Sequence, residues 1–94
     1  MNSNAKIDLD SLRVIEAVAE QGSFSGAGIV LHRVTSTISY TVAKLEKSFG
    51  VKFFERQKNG VVLTEAGREL LRHSQNLLQV ASDAQRAIER VANG

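Results

Sequence analysis

Ser25-Gly26-Ala27-Gly28-Ile29-Val30-Leu31-His32-Arg33-Val34-Thr35-Ser36-Thr37-Ile38-Ser39-Tyr40-Thr41-Val42-Ala43-Lys44-Leu45-Glu46 reads as a short helix, a tight turn and a longer helix whose two faces differ in chemistry. At about 100° per residue, Ile38, Val42, Leu45 and Phe49 fall in one narrow apolar sector, with Ser36, Ser39, Tyr40, Ala43 and Lys47 opposite. The outer face is short, hydroxyl-rich and free of acid. Such donors and acceptors can meet base edges and phosphates in a DNA major groove without charge repulsion. The same pattern also fits an amphipathic helix whose outer face is merely solvated, so the flanking sequence has to bear on the choice.

On the N-terminal side, residues 1–7 read as a polar, flexible start. Asp8 is placed to cap a helix carrying Leu9, Leu12, Ile15, Val18 and Ala19 at helical spacing, and Gly22 closes it. Ser25 is the expected cap of the second helix, with Phe24 packing back from just before it. Gly26 and Gly28 weaken that helix by about 1 kcal/mol each relative to Ala. His32-Arg33-Val34 is the turn, and the third helix runs from Thr35 or Ser36 to Phe49, with Gly50 as its stop.

On the C-terminal side the period changes. Val51-Lys52-Phe53-Phe54 and Val61-Val62-Leu63 are β-prone, and Asn59-Gly60 is a hairpin signal because both residues tolerate positive φ. A two-stranded hairpin directly after such a helix is the wing of a winged helix-turn-helix. Its tip offers Lys58 and Asn59, flanked by Arg56. From Thr64 to Val91 the helical period returns over about 42 Å. Leu70, Leu77, Ala84 and Val91 recur every seven residues, with Ser74, Ala81 and Ile88 between them. A heptad seam of that length cannot be buried by one small domain, so it is expected to pair with a second copy; packing back onto its own domain fits the first two turns only.

The fold class is therefore mainly α: three helices and a two-stranded wing over residues 8–63, then a dimerising linker helix over 64–92. With 94 residues there is room for one small domain, and domains of this size often need a second stabiliser. No cysteine is present to supply a disulfide or a thiolate metal site, which leaves oligomerisation. There is no membrane-length apolar run and no signal-peptide core, so the expected setting is soluble and cytoplasmic, associated with the nucleoid. Net charge is only +2, but it is unevenly placed. Residues 1–22 carry Lys6 and Arg13 against Asp8, Asp10, Glu16 and Glu20. Residues 23–62 carry Arg33, Lys44, Lys47, Lys52, Arg56 and Lys58 against only Glu46 and Glu55. The excess of cations lies on the segment already suspected of facing DNA.

Ala17-Val18-Ala19-Glu20-Gln21-Gly22-Ser23-Phe24-Ser25, Leu31-His32, Ile38-Ser39, Lys44-Leu45-Glu46, Gly50-Val51-Lys52-Phe53-Phe54-Glu55-Arg56 and Leu63-Thr64-Glu65-Ala66-Gly67 follow one another in the order and spacing of a known family. Over about residues 8–92 the chain resembles the N-terminal DNA-binding region of LysR-type transcriptional regulators. The resemblance implies sequence-specific binding of double-stranded DNA by a homodimer joined through its linker helix, with tetramers in full-length members. It also implies an interrupted inverted repeat as target, the third helix in the major groove and the wing on backbone or minor groove. Family members add a C-terminal domain that binds a small-molecule effector. That domain is absent here, so the chain reads as a piece of a larger regulator.

Val34-Thr35-Ser36-Thr37-Ile38-Ser39-Tyr40 departs from the commonest family pattern, Ser-Gln-Pro-Ala-Leu-Ser-Arg, and stands closer to members with Val-Pro-Ser before Ser-Tyr-Thr. The Gln and Arg of the common pattern are missing, so base contacts cannot be carried over from it. Thr35 stands where the Val-Pro-Ser members have Pro and can cap the helix or offer a hydroxyl. Ser36, Ser39 and Tyr40 match exposed family positions. Arg33 and Lys44 add positive charge, and Arg56 fits either a phosphate contact or a structural pair with an acid. Lys58 and Asn59 fit backbone contact, while Ser23, Ser25 and Thr64 fit helix caps or phosphate holds. Leu70, Ser74, Leu77, Ala81, Ala84, Ile88 and Val91 form the expected dimer seam. His32 and His73 have no partners at ligand spacing, so no metal or other cofactor is expected. No nucleophile, acid pair or phosphate-cradling loop points to an enzyme. The alternative function is a winged-helix module whose third helix binds protein.

Overall fold

The computed structural model describes residues 7–94, so the flexible start expected over 1–7 lies, apart from Ile7, outside the described residues. Asp8 begins the first helix, α1 (Leu9–Gln21), as expected from its short carboxylate: it accepts the Ser11 N–H at 2.7 Å. Gly22 ends it in the left-handed conformation, φ 71°, donating its N–H to the Val18 carbonyl. Leu12, Val14, Ile15 and Val18 are fully buried, and α1 is the element around which the others pack.

The second helix, α2 (Phe24–Leu31), starts two residues earlier than the sequence suggested. Ser23, not Ser25, is its cap and accepts the Gly26 N–H at 2.9 Å. Ser25 is an exposed residue of the first turn. The shift makes Phe24 the first helical residue, and its ring meets Phe54 edge-on at 6.1 Å. His32 closes α2 at φ 58°. In the tight turn that follows, Arg33 donates its N–H to the Gly28 carbonyl at 2.8 Å. Gly28 has a structural reason beyond helix propensity: a Cβ there would lie 2.5 Å from the Arg33 carbonyl oxygen.

The third helix, α3 (Thr35–Phe49), ends at Gly50 as expected. Its N-cap is Val34, which offers no side-chain hydrogen bond, so Thr35 does not cap the helix. Ile38, Val42 and Leu45 seat α3 in the core. The wing consists of β1 (Phe54–Gln57) and β2 (Gly60–Leu63), antiparallel with Phe54 opposite Leu63 and Gln57 opposite Gly60.

The sequence placed the first strand at 51–54, three residues too early. Phe53 and Phe54 are both buried, whereas neighbouring residues of a strand point to opposite faces. The chain satisfies both by bending at Phe53, whose N–H is taken by the Glu46 carboxylate at 2.8 Å. The two-residue turn is Lys58-Asn59. Only Gly60 of the expected Asn59-Gly60 pair has positive φ, 144°. Gly60 is also where the wing docks. A Cβ there would strike the Gly22 carbonyl oxygen, which accepts the Val61 N–H at 2.9 Å.

The last helix, α4 (Glu65–Asn93), is hinged to the wing by Thr64. The Thr64 hydroxyl donates to the Lys52 carbonyl at 2.6 Å and accepts the Gly67 N–H at 3.0 Å, while its N–H reaches the Phe53 carbonyl. The first turns of α4 pack along α1 through Leu70 and Ser74, and the rest extends the molecule to 51 Å in its longest dimension.

Candidate DNA interface

Packing Ile38, Val42 and Leu45 inward turns Ser36, Tyr40, Ala43, Lys44 and Lys47 outward as an exposed ridge. Tyr40 is 67% exposed, and Ser39 sits half-buried on the ridge's edge. The ridge divides two concavities. On the wing side, a cavity of about 410 Å³ is lined by Ser39, Ala43, Glu46, Lys52 and Arg56. On the other side, about 620 Å³ lies between α3 and the start of α1, lined by Tyr40, Lys44, Asp8 and Asp10. Both flanks mix charges: Lys52 and Arg56 with Glu46 on the wing side, Lys44 with Asp8 and Asp10 on the other.

Arg56 has its guanidinium 5.4 Å above the Phe24 ring, a favourable cation–π geometry. No acid pairs with it among the described residues, so the structural-pair alternative is realised by an aromatic ring rather than a carboxylate. Stacking on one face leaves the planar edge donors pointing elsewhere. Lys58 and Asn59 form the exposed wing tip. Glu46, a residue the site prediction omitted, anchors the base of the wing through Phe53 and lies 3.7 Å from Lys52.

The other predicted contacts are placed differently. Ser23 and Thr64 are half-buried, and their hydroxyls serve as caps, with Thr64 also engaged by Lys52. Thr35 is exposed with its hydroxyl free of capping. Arg33 turns back to Asp10, forming a two-pronged ion pair at 3.0 and 2.5 Å. The pairing holds the Asp10 carboxyl below its usual range, chiefly through the Arg33 hydrogen bonds, and raises the Arg33 guanidinium further. Asp10 was missed because it sits 23 residues away in an acidic segment.

The heptad seam of α4 is split. Leu70 and Ser74 are inside the protomer, Ser74 with no exposed surface, so neither side chain is open to a second copy. Leu77, Ile88 and Val91 are exposed, Val91 by 82%. The split follows from length: Ile88 lies five full turns from Leu70, on the same face, but α4 has by then run past the rest of the domain, and Ile88 is 68% exposed. Leu78, absent from the seam, packs against the core, and Val80, also absent, joins the exposed stripe. A 3.6-residue reading would have found both.

Among the described residues, no group of three or more His, Cys, Asp or Glu is placed to hold a metal, and no helix is long and apolar enough to cross a membrane.

The family pattern of bacterial regulatory helix-turn-helix proteins, lysR family, matches residues 9–68. The HTH-type transcriptional regulator PunR of Escherichia coli (strain K12) is 42% identical over 84 residues, covering 89% of this chain and 27% of PunR. The chain thus spans about a quarter of the length of that relative. The crystal structure of the CbnR_DBD–DNA complex superposes with a TM-score of 0.84 at 29% identity, covering 92% of this chain and 99% of that one. The BenM_DBD/benA site 1 DNA complex gives 0.86 at 27% identity, covering 94% and 99%.

Proposed function

Because the chain belongs to the lysR family of bacterial regulatory helix-turn-helix proteins, we propose that it reads double-stranded DNA as a homodimer, with α3 in the major groove. It is the DNA-binding domain and linker helix of a transcription regulator rather than an enzyme. The observation that carries the finer reading is the acid-free ridge of α3 beside a wing whose cations, Arg56 and Lys58, have no acidic partner among the described residues. Cations left without an internal partner are available to phosphates. In this reading Ser36, Ser39 and Tyr40 meet base edges, Arg56, Lys58 and Asn59 meet the backbone, and Lys44 adds sequence-independent attraction. The CbnR and BenM domains were solved on DNA, which supports the same use of the same fold here.

The exposed stripe of Leu77, Val80, Ala84, Ile88 and Val91 is the surface through which α4 pairs with a second copy. Symmetry then calls for an interrupted inverted repeat with half-sites about 34 Å apart or a multiple of that. Hydroxyls make single rather than two-pronged bonds to bases, so each base pair is discriminated near the low end of about 1–3 kcal/mol.

Selection from random duplexes tests the reading. Replacing Ser39→Ala together with Tyr40→Ala should flatten the selected motif with helicity unchanged; the same motif at the same affinity would put the reading face elsewhere. Leu77→Asp with Ile88→Asp should yield monomers in sedimentation, and a persisting dimer would reject the stripe.

A further inference from the structure

The α2–α3 turn carries one cation, Arg33, and its guanidinium is already engaged. Both terminal guanidinium nitrogens bond the two oxygens of Asp10, a fork-to-fork arrangement that fixes direction as well as distance. The backbone of the same residue is tied to α2 through the Gly28 carbonyl, and its own carbonyl nests where Gly28 lacks a side chain. The next residue, Val34, starts α3 without any side-chain cap. Arg33 thus ties the start of α3 to α1 through its side chain and to α2 through its backbone.

We infer that Arg33 is a positioning residue for DNA reading rather than a phosphate ligand, and that Asp10, by holding it, raises sequence discrimination. A free guanidinium at the turn would add phosphate attraction to every duplex alike, because backbone contacts carry no sequence information. A guanidinium neutralised by its own carboxylate adds none. It instead fixes the turn that presents Thr35 and Ser36. Asp10 also lines the concavity beside Tyr40 and Lys44, where its charge is already matched by Arg33. This inference rests on α3 and the wing being the DNA surface.

The test uses the full chain with two duplexes, one mixed-sequence and one selected from a random pool, titrated across potassium chloride concentration. Asp8→Asn is the control: it removes the same unit charge from the same helix end, keeps a capping side chain and leaves the Arg33 pair untouched. Relative to it, Asp10→Asn should steepen the salt slope on the mixed duplex by about one unit, as one more cation reaches phosphate. Affinity for that duplex should rise several-fold with little gain on the selected one. Asp10→Glu, which keeps a carboxylate, should retain the wild-type slope. Arg33→Gln should leave the slope unchanged and weaken only the selected duplex.

If Asp10→Asn behaves as Asp8→Asn does, or if Arg33→Gln flattens the slope by about one unit, the assignment is overturned and Arg33 is not kept from phosphate by Asp10. Failure of every variant and the wild type to bind either duplex would instead defeat the DNA reading itself.

Discussion

The turn between α2 and α3 and the tip of the wing are both short, exposed and basic, and both dock by close approach of backbone to a glycine. At the turn, Gly28 lies under the Arg33 carbonyl; at the wing, Gly60 lies against the Gly22 carbonyl. They differ in what becomes of their charge. Arg33 is neutralised by a carboxylate from α1, whereas Arg56 rests on an aromatic ring and Lys58 projects without an ion pair among the described residues. Counting charge by segment therefore misplaces it: one cation of the basic stretch belongs electrically to the acidic one. A cation matters to a polyanion only when the fold leaves it unpartnered.

The sharpest way to break the comparison is at Gly60. Gly60→Ala meets both a left-handed φ and the Gly22 carbonyl, so the wing must undock. The expected loss is about 3 kcal/mol, or about 15 °C in Tm, read by thermal unfolding. A wild-type Tm would mean that the wing does not depend on this approach.

Gly28→Ala is the counterpart at the turn and should do less. The helix gains about 1 kcal/mol from the better former, but the Arg33 carbonyl must be displaced, and the expected net loss is about 1 kcal/mol. A stabilised variant would show that the turn is held by its side chain and not by its backbone. Lys58→Ala should change stability by under about 0.5 kcal/mol. It should weaken binding to all duplexes alike and lower the salt slope by about one unit. An altered base preference with an unchanged slope would make the wing a reader.

The smallest effect concerns pH. Asp10 has its carboxyl lowered by Arg33, so the pair's stability is present above the ordinary carboxylate value of about 4 and is lost as pH falls through the lowered one. Both side chains are substantially solvated, which keeps the contribution small. Urea unfolding of wild type and Asp10→Asn should therefore diverge at neutral pH and converge in acid. Curves that stay parallel would mean that the pair contributes nothing to folding.

The local signals were legible. Asp8, Gly22 and Gly50 bound their helices by interactions within a few residues, and the inward spacing of Ile38, Val42 and Leu45 fixed the outer face of α3. What sequence misplaced was decided across the fold. Ser23 and Ser25 both suit a cap, and the start of α2 is set where Phe24 can meet Phe54. The start of β1 is displaced by Glu46 reaching the Phe53 N–H, and Arg33 is claimed by a residue of another helix. The α4 seam was found, but its spacing does not reveal where the domain's own surface ends, between Leu70 and Ser74 inside and Ile88 and Val91 in solvent.

Thr64 gives this last point a mechanical meaning. Its hydroxyl and amide join the base of the wing to the first turn of a helix of 29 residues, about 43 Å long. Leu70, Ser74 and Leu78 hold the first half of α4 against the domain, which makes residues 79–93 a lever arm of about 22 Å. A tilt of that arm by about 10° would sweep its end through about 4 Å, close to one base-pair step. Bending or repositioning at the distal end would be delivered, reduced in amplitude, to the base of the wing. In the proposed homodimer, the spacing between the two α3 helices would thereby become a quantity that the helix pair can adjust.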